Sequence, residues 1–168
     1  MKVWIRNLTT GKEMEINLPM KEHRLRQILD ERCEYIIIDC DVNIPEYANI
    51  YNLNELLQFC QDNEVEEEFE ILMQTYLYHE IRTAMLNFEY LLIDFDTETA
   101  GWNCGSGGDF TQEWDKGRCL YEYGLAELPF EVKEEMEDYI DWSLVWRNAN
   151  CSGWREVTYK DRHYLVDV

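Results

Sequence analysis

The chain has 168 residues, 46% of them hydrophobic, with six Trp, eleven Tyr and six Phe; this is enough apolar area for a packed core and excludes a disordered acidic tail. Fifteen Lys and Arg stand against thirty-five Asp and Glu, a formal net charge of −20. Such a balance argues against direct binding to nucleic acid, because phosphates have to be neutralised by cations.

Lys2 to Leu8 (KVWIRNL) reads as a strand, Thr9-Thr10-Gly11 as a turn, and Lys12 to Leu18 (KEMEINL) as a second strand. In the second, Met14, Ile16 and Leu18 point one way and Glu13, Glu15 and Asn17 the other, the alternation of a half-buried antiparallel hairpin, which Pro19 closes. His23 to Arg32 places Leu25, Ile28 and Leu29 at i, i+3 and i+4, a short amphipathic helix with a basic polar face. Glu34 to Asp39 (EYIIID) reads as a buried strand. After a loop at Ile44-Pro45, Asn52 is expected to cap a helix in which Glu55 falls three residues later and Leu53, Leu56, Leu57 and Cys60 make one face.

Asp62 to Glu70 (DNEVEEEFE) packs six acids into nine residues. It runs into a helical stripe of Phe69, Leu72, Met73, Tyr76, Leu77, Ile81, Ala84, Met85 and Phe88, so residues 65 to 88 are expected as one or two helices with acids at the N-terminal end, where the helix dipole favours them. Tyr90 to Asp94 (YLLID) is a strand, followed by a Gly-rich stretch from Ala100 to Gly108 that lacks the order of a phosphate-binding loop. Asp94-x-Asp96-x-Glu98 begins like a calcium loop, yet Thr99 and Gly105 stand where its Gly and Glu belong. Helical patterns return at Gln112 to Tyr123 and at Pro129 to Ile140, with Asp141 placed to cap a further turn or two. Gly153 to Tyr159 and His163 to Val168 are strand-like runs joined by Lys160-Asp161-Arg162. The fold expected is α+β, built of small modules: a β-sheet plus helix module over residues 1–62, an acidic helical module over 63–88 and an α+β module over 89–168.

No motif for catalysis is present. Cys33, Cys40, Cys60, Cys104, Cys119 and Cys151 show no CxxC or paired Cys/His spacing and read as reduced thiols; His23, His79 and His163 lie in no HExxH, HxH or GxSxG. Neither a metal nor a cofactor is expected, and no enzymatic activity. Met1 to Asn17 contains no run of 7 to 15 apolar residues, so neither signal peptide nor membrane anchor is expected there, and the expected location is the cytoplasm.

The charge is unevenly placed. Residues 1–32 hold seven basic and five acidic side chains, residues 33–115 hold one and nineteen, and residues 116–168 hold seven and eleven. In the middle stretch Arg82 is the only fixed cation. Two carboxylates 4 Å apart in water cost about 1 kcal/mol before screening, so folding gains nothing from this crowding and a partner is its natural reason. Duplex DNA carries one charge per roughly 1.7 Å, so twenty charges match about ten base pairs. Charge density nominates Asp39, Asp41, Glu46, Glu55, Asp62, Glu64, Glu66, Glu67, Glu68, Glu70, Asp94, Asp96, Glu98 and Asp109 as a partner-binding surface that imitates DNA.

Tyr121 to Gly153 contains Gly124, Glu127-Leu128-Pro129, Tyr139-Ile140-Asp141-Trp142 and Arg147-Asn148; Tyr35 to Phe59 contains Asp39, Ile44-Pro45 and Asn54-Glu55-Leu56. In these residues, about sixty in all, the chain resembles the ArdA antirestriction proteins. It departs from their pattern at Trp142 and Asn148, where Tyr and Asp are usual, and in the Gly101 to Gly108 stretch, which looks like an insertion. The resemblance implies an elongated protein of three modules that forms a homodimer through its C-terminal module and occupies the DNA groove of type I restriction-modification enzymes, assisting incoming mobile DNA. Tyr139, Trp142, Val145 and Trp146 are the expected interface residues. Two other readings stay open: an acidic module that binds another basic or DNA-binding protein, and a hydrolase using carboxylates or a Cys.

Overall fold

The protein is described by a computed structural model covering residues 1–96, 113–128 and 134–168. It is an α+β chain that divides into two compact units, Met1–Glu89 and Tyr90–Val168. The expected helical middle, residues 63–88, falls inside the first unit. The Gly-rich stretch, Glu98, Asp109, Cys104 and the segment 129–133 lie outside the described residues.

The first unit opens with β1 (Lys2–Asn7) and β2 (Glu13–Asn17), which pair antiparallel with Val3 opposite Ile16 and Ile5 opposite Met14. Alternation buries Val3, Ile5 and Asn7 and exposes the residues between. Asn7 is polar and buried, and it ties the hairpin loop: its Oδ1 accepts from the N–H groups of Thr9 and Thr10, both at 2.9 Å. Gly11 takes φ +70°, the left-handed backbone this loop requires. β3 (Tyr35–Cys40) pairs with the other edge of β1, giving the order β2-β1-β3. Trp4 faces Asp39 and Ile5 faces Ile37, so Ile38 is an extra residue, a bulge on β3.

Helix α1 (Glu22–Ile28) is shorter than the expected 23–32. Leu25 and Leu29 are buried as the stripe requires, but Ile28 is exposed. The helix ends where Leu29 turns to extended backbone; beyond it the Asp30 side chain accepts from the Arg32 N–H at 3.0 Å and from its guanidinium, which holds the Asp30 carboxyl below the ordinary range. Helix α2 (Ile50–Asn63) has its cap three residues before the expected one. Asn49, not Asn52, accepts from Tyr51 and Asn52 N–H, because the polar groups that matter are those of the first turn that forms. Leu53, Leu56, Leu57 and Cys60 form its buried face. Buried Asn54 accepts from Met20 N–H at 2.7 Å and donates to Met20 O at 2.9 Å, fastening the loop after β2 to this helix.

The stripe over 65–88 is two helices, α3 (Glu66–Leu72) and α4 (Tyr78–Asn87). Between them the chain turns, and Glu80 accepts from Leu77 N–H at 2.9 Å to start α4. Phe69, Ile71, Leu72, Ile81 and Met85 are buried.

In the second unit, β4 (Leu91–Asp94), β5 (Arg155–Tyr159) and β6 (Arg162–Asp167) form an antiparallel sheet in the order β4-β6-β5. Helices α5 (Glu113–Glu122) and α6 (Trp142–Ser152) pack on each other, and a 3-10 turn at Glu134–Tyr139 precedes α6. Asp141 caps α6 as expected, accepting from Leu144 N–H at 3.2 Å. The segment expected as a helix to Ile140 is, in its described part, this 3-10 turn. The core gathers Ile93, Phe95, Cys119, Leu120, Trp146, Trp154 and Leu165.

Two backbone features hold this unit. Gly117 sits inside α5, and a Cβ there would overlap the backbone carbonyl of Trp142, so the two helices approach at a distance only glycine permits. Lys160 and Asp161, at φ +49° and +60°, form the two-residue turn between β5 and β6 that Asn-Gly suits best. Gly117→Ala is therefore expected to destabilise the protein by roughly 1–3 kcal/mol or more through forced separation of the helices. Replacing Lys160-Asp161 by Asn-Gly should stabilise by about 1 kcal/mol. Chemical denaturation of both variants checks the opposite signs.

Candidate partner-binding surface

The nominated carboxylates fall into two groups with different surroundings. Asp39, Asp41, Glu46, Glu55, Asp62, Glu64, Glu66 and Glu67 belong to the first unit and are exposed; Glu68 and Glu70 are half-exposed there. Asp94 and Asp96 belong to the second unit and are also half-exposed. Glu98 and Asp109 lie outside the described residues.

Asp94 and Asp96 do work inside their own sheet. Arg162 forms an ion pair with Asp94, and Asp96 accepts from His163 N–H at 2.8 Å while its other oxygen lies 3.1 Å from the His163 ring Nδ1. Arg162 meets the charge of Asp94, hydrogen bonds to His163 hold Asp96, and together they fasten the ends of β4 and β6. They are structural groups before they are surface for a partner.

In the first unit some nominated acids also have a folding role. Asp41 accepts from Lys2 N–H at 2.8 Å, and Glu55 pairs with Arg82 at 2.7 Å. Glu66, Glu67 and Glu68 occupy the first turn of α3, where the helix dipole favours negative charge. Asp62 and Glu64 have the opposite setting. They stand at the C-terminal end of α2, which has no basic residue in its last turn, and there the dipole disfavours them.

Glu64 carries a second cost. It ends α2 in the left-handed conformation, φ 60° and ψ 37°, with Val65 N–H donating to Cys60 O at 2.9 Å in a Schellman-type turn. Glycine or asparagine suits that position; a glutamate there is strained. The run 62–67 thus puts four exposed carboxylates, Asp62, Glu64, Glu66 and Glu67, over the junction of two helices, on backbone fixed by hydrogen bonds.

Burial pushes the Cys60 thiol up to about 12, and Glu66 and Glu68 add to the shift, so no thiolate forms near neutrality. Burial likewise pushes Tyr78 up to about 12, against the lowering effect of Arg82 and with a smaller contribution from Glu55. Cys33, Cys40, Cys60 and Cys151 are free thiols. Among the described residues, no group of three His, Cys, Asp or Glu side chains is gathered to hold a metal ion, and no helix is long and apolar enough to cross a membrane.

Of the four expected interface residues, Tyr139 alone is exposed, at 88%; Trp142 at 1%, Val145 at 9% and Trp146 at 4% are buried in the chain itself. Trp142 donates from its indole N–H to Glu137 O at 3.2 Å and packs against the Trp114 and Tyr121 rings. The tryptophans are core. Near Tyr139, Leu144, one turn beyond the cap, is 52% exposed and Met136 is 40% exposed. With Leu128, Tyr139 and Ile140 they line an open groove of about 630 Å³.

Glu64→Gly, which relieves the left-handed strain and removes a carboxylate from a helix C-terminus, is expected to stabilise the first unit by about 1 kcal/mol. A fall in stability on thermal or urea unfolding would show that Glu64 is held by contacts that outweigh both costs. No family model matches the chain, and comparison with curated proteins finds no similar sequence.

Proposed function

We propose that this chain is a DNA-mimic antirestriction protein: a folded scaffold that sets carboxylates where a DNA-handling enzyme expects phosphates, and so occupies the cationic groove of a type I restriction-modification enzyme. The observation that carries the reading is the 62–67 junction. Two of its exposed acids, Asp62 and Glu64, stand against the dipole of α2, and Glu64 also stands against backbone preference. Stability alone would remove them, whereas a cationic partner supplies the missing counter-charge. The scaffold matters because carboxylates already fixed in place lose little entropy on docking.

Binding of this kind is electrostatic and therefore sensitive to salt. In an assay of DNA cleavage and methylation by a purified type I enzyme, added protein should inhibit. Raising the salt from 50 to 200 mM should weaken inhibition on the order of tenfold or more. The combined change Asp62→Asn, Glu64→Gln and Glu66→Gln should raise the half-inhibitory concentration by about tenfold at low salt. An absence of inhibition at large excess would transfer the surface to another cationic protein, which a panel of DNA-binding targets would identify.

The same reading includes a homodimer, which doubles the displayed charge to that of about twenty base pairs. The second unit's groove and its exposed rim, Tyr139 and Leu144, are the surface proposed for the second copy. Sedimentation at micromolar concentration should find a dimer for the native chain and a monomer for Leu144→Glu. A native monomer would remove this part of the proposal.

A further inference from the structure

The first unit exposes an aromatic pair beside its acidic surface. Phe88 is 61% exposed, and its ring lies 5.1 Å from that of half-buried Phe59, tilted by 57°. Phe88 is also the residue that ends α4, at φ 54° and ψ 37°, in a Schellman-type turn where Glu89 N–H donates to Ala84 O at 2.7 Å. A bulky residue in left-handed backbone is disfavoured sterically, and a phenyl ring in water is disfavoured by hydration. Glycine would make the same turn without either cost. The contact with Phe59 leaves most of the ring uncovered, so packing does not account for the choice.

The surroundings of the pair are acidic. Glu55, which also pairs with Arg82, and Asp62, which accepts from Gln58 Nε2 at 2.9 Å through one oxygen, lie four residues before and three after Phe59, on the same face of α2. Glu89, exposed, follows Phe88. Phe59, Glu55, Gln58 and Asp62 line one side of an open groove of about 620 Å³, to which α1 brings the opposite charges of Lys21 and Glu22. A bare apolar patch would suit any apolar partner. Phenyl faces bordered by carboxylates suit a planar cation, whose flat side stacks on a ring while its N–H groups reach the acids.

We infer that the Phe59–Phe88 pair is an arginine-stacking anchor, the point at which this acidic surface grips a guanidinium of the cationic protein it binds. The inference rests on the reading that the surface binds a cationic protein, and it adds a requirement that charge imitation alone does not make: the partner must present arginine there, since an ammonium is a weaker stacking partner and holds its water more tightly. A few such anchors, set in the middle of a charged interface, carry a disproportionate share of affinity.

The variant Phe88→Gly tests this without endangering the fold or altering the charge, because glycine suits the turn. Phe88→Leu keeps an apolar side chain and removes only the aromatic face. Binding would be measured by titration calorimetry with nona-arginine and nona-lysine peptides and, in parallel, by inhibition of a type I restriction-modification enzyme, with circular dichroism and thermal unfolding as fold controls. The native chain is expected to prefer nona-arginine by about tenfold. Both variants should lose that preference, keep their affinity for nona-lysine and unfold at or near the native temperature, Phe88→Gly somewhat higher. Equal preference in native and variant proteins overturns the anchor, whether or not the enzyme is inhibited. A native chain that does not inhibit the enzyme, but whose arginine preference disappears in both variants, supports the anchor and overturns the choice of enzyme.

Discussion

Repulsion between carboxylates is the constraint under which everything else in this protein is arranged. A net charge of −20 on 168 residues must be held by a core whose apolar burial outweighs it. Residues 1–32 meet it with ion pairs, Lys2 with Glu15, Arg6 with Glu13, Arg26 with Glu22 and Glu31, and Arg32 with Asp30. The second unit does the same: Glu113 with Arg147, Glu122 and Glu137 with Arg118, Glu156 with Lys116 and Asp94 with Arg162. Lys116 is nearly buried, stacked near the Trp146 ring and bonded to Glu156 at 2.6 Å, so that pair is part of the packing. In the first unit, residues 33–89 contain one fixed cation, Arg82, and it is engaged with Glu55. There the acids are met by helix dipoles and backbone N–H groups, or they face solvent.

Much of the scaffold was legible in the sequence because its signals are local. Alternation across Lys12 to Leu18 reports one buried face wherever the chain lies, and the stripe of Leu53, Leu56, Leu57 and Cys60 reports another. The ends of elements were harder to read. Asn49 and Asn52 are equally good caps by type, and which one serves is decided by where the loop after Pro45 lets the first turn close. Helix α1 ends where Leu29 turns to extended backbone and Asp30 binds Arg32 just beyond, a break that periodicity does not register.

The candidate surface was legible as composition and obscure as geometry. A run of acids announces itself, yet nothing in the letters separates Asp94, which serves the sheet beside Arg162, from Glu64, which serves no contact of that kind at the end of α2. Hydrophobic stripes have the same weakness. Phe88 fits the stripe of α4 by spacing, but the helix stops before it, and the residue that should have been core is left on the surface. Trp142 and Trp146 show the reverse case, aromatic residues expected at an interface that fill their own unit, with Gly117 allowing the close approach that covers Trp142.

The order of strands in the second sheet bears on how the protein is made. β6 lies between β4 and β5, with Leu91 opposite Asp167, so the strand at the centre of the sheet is the last of the three to leave the ribosome. The first unit has all its strands and helices by Glu89 and can close during synthesis. β4 has to wait, its edges unpaired, through the making of both helices and β5. Losing β6 would remove the middle of that sheet instead of its margin, just as losing β1 would in the first unit, so one sheet is centred on the first of its strands to be made and the other on the last.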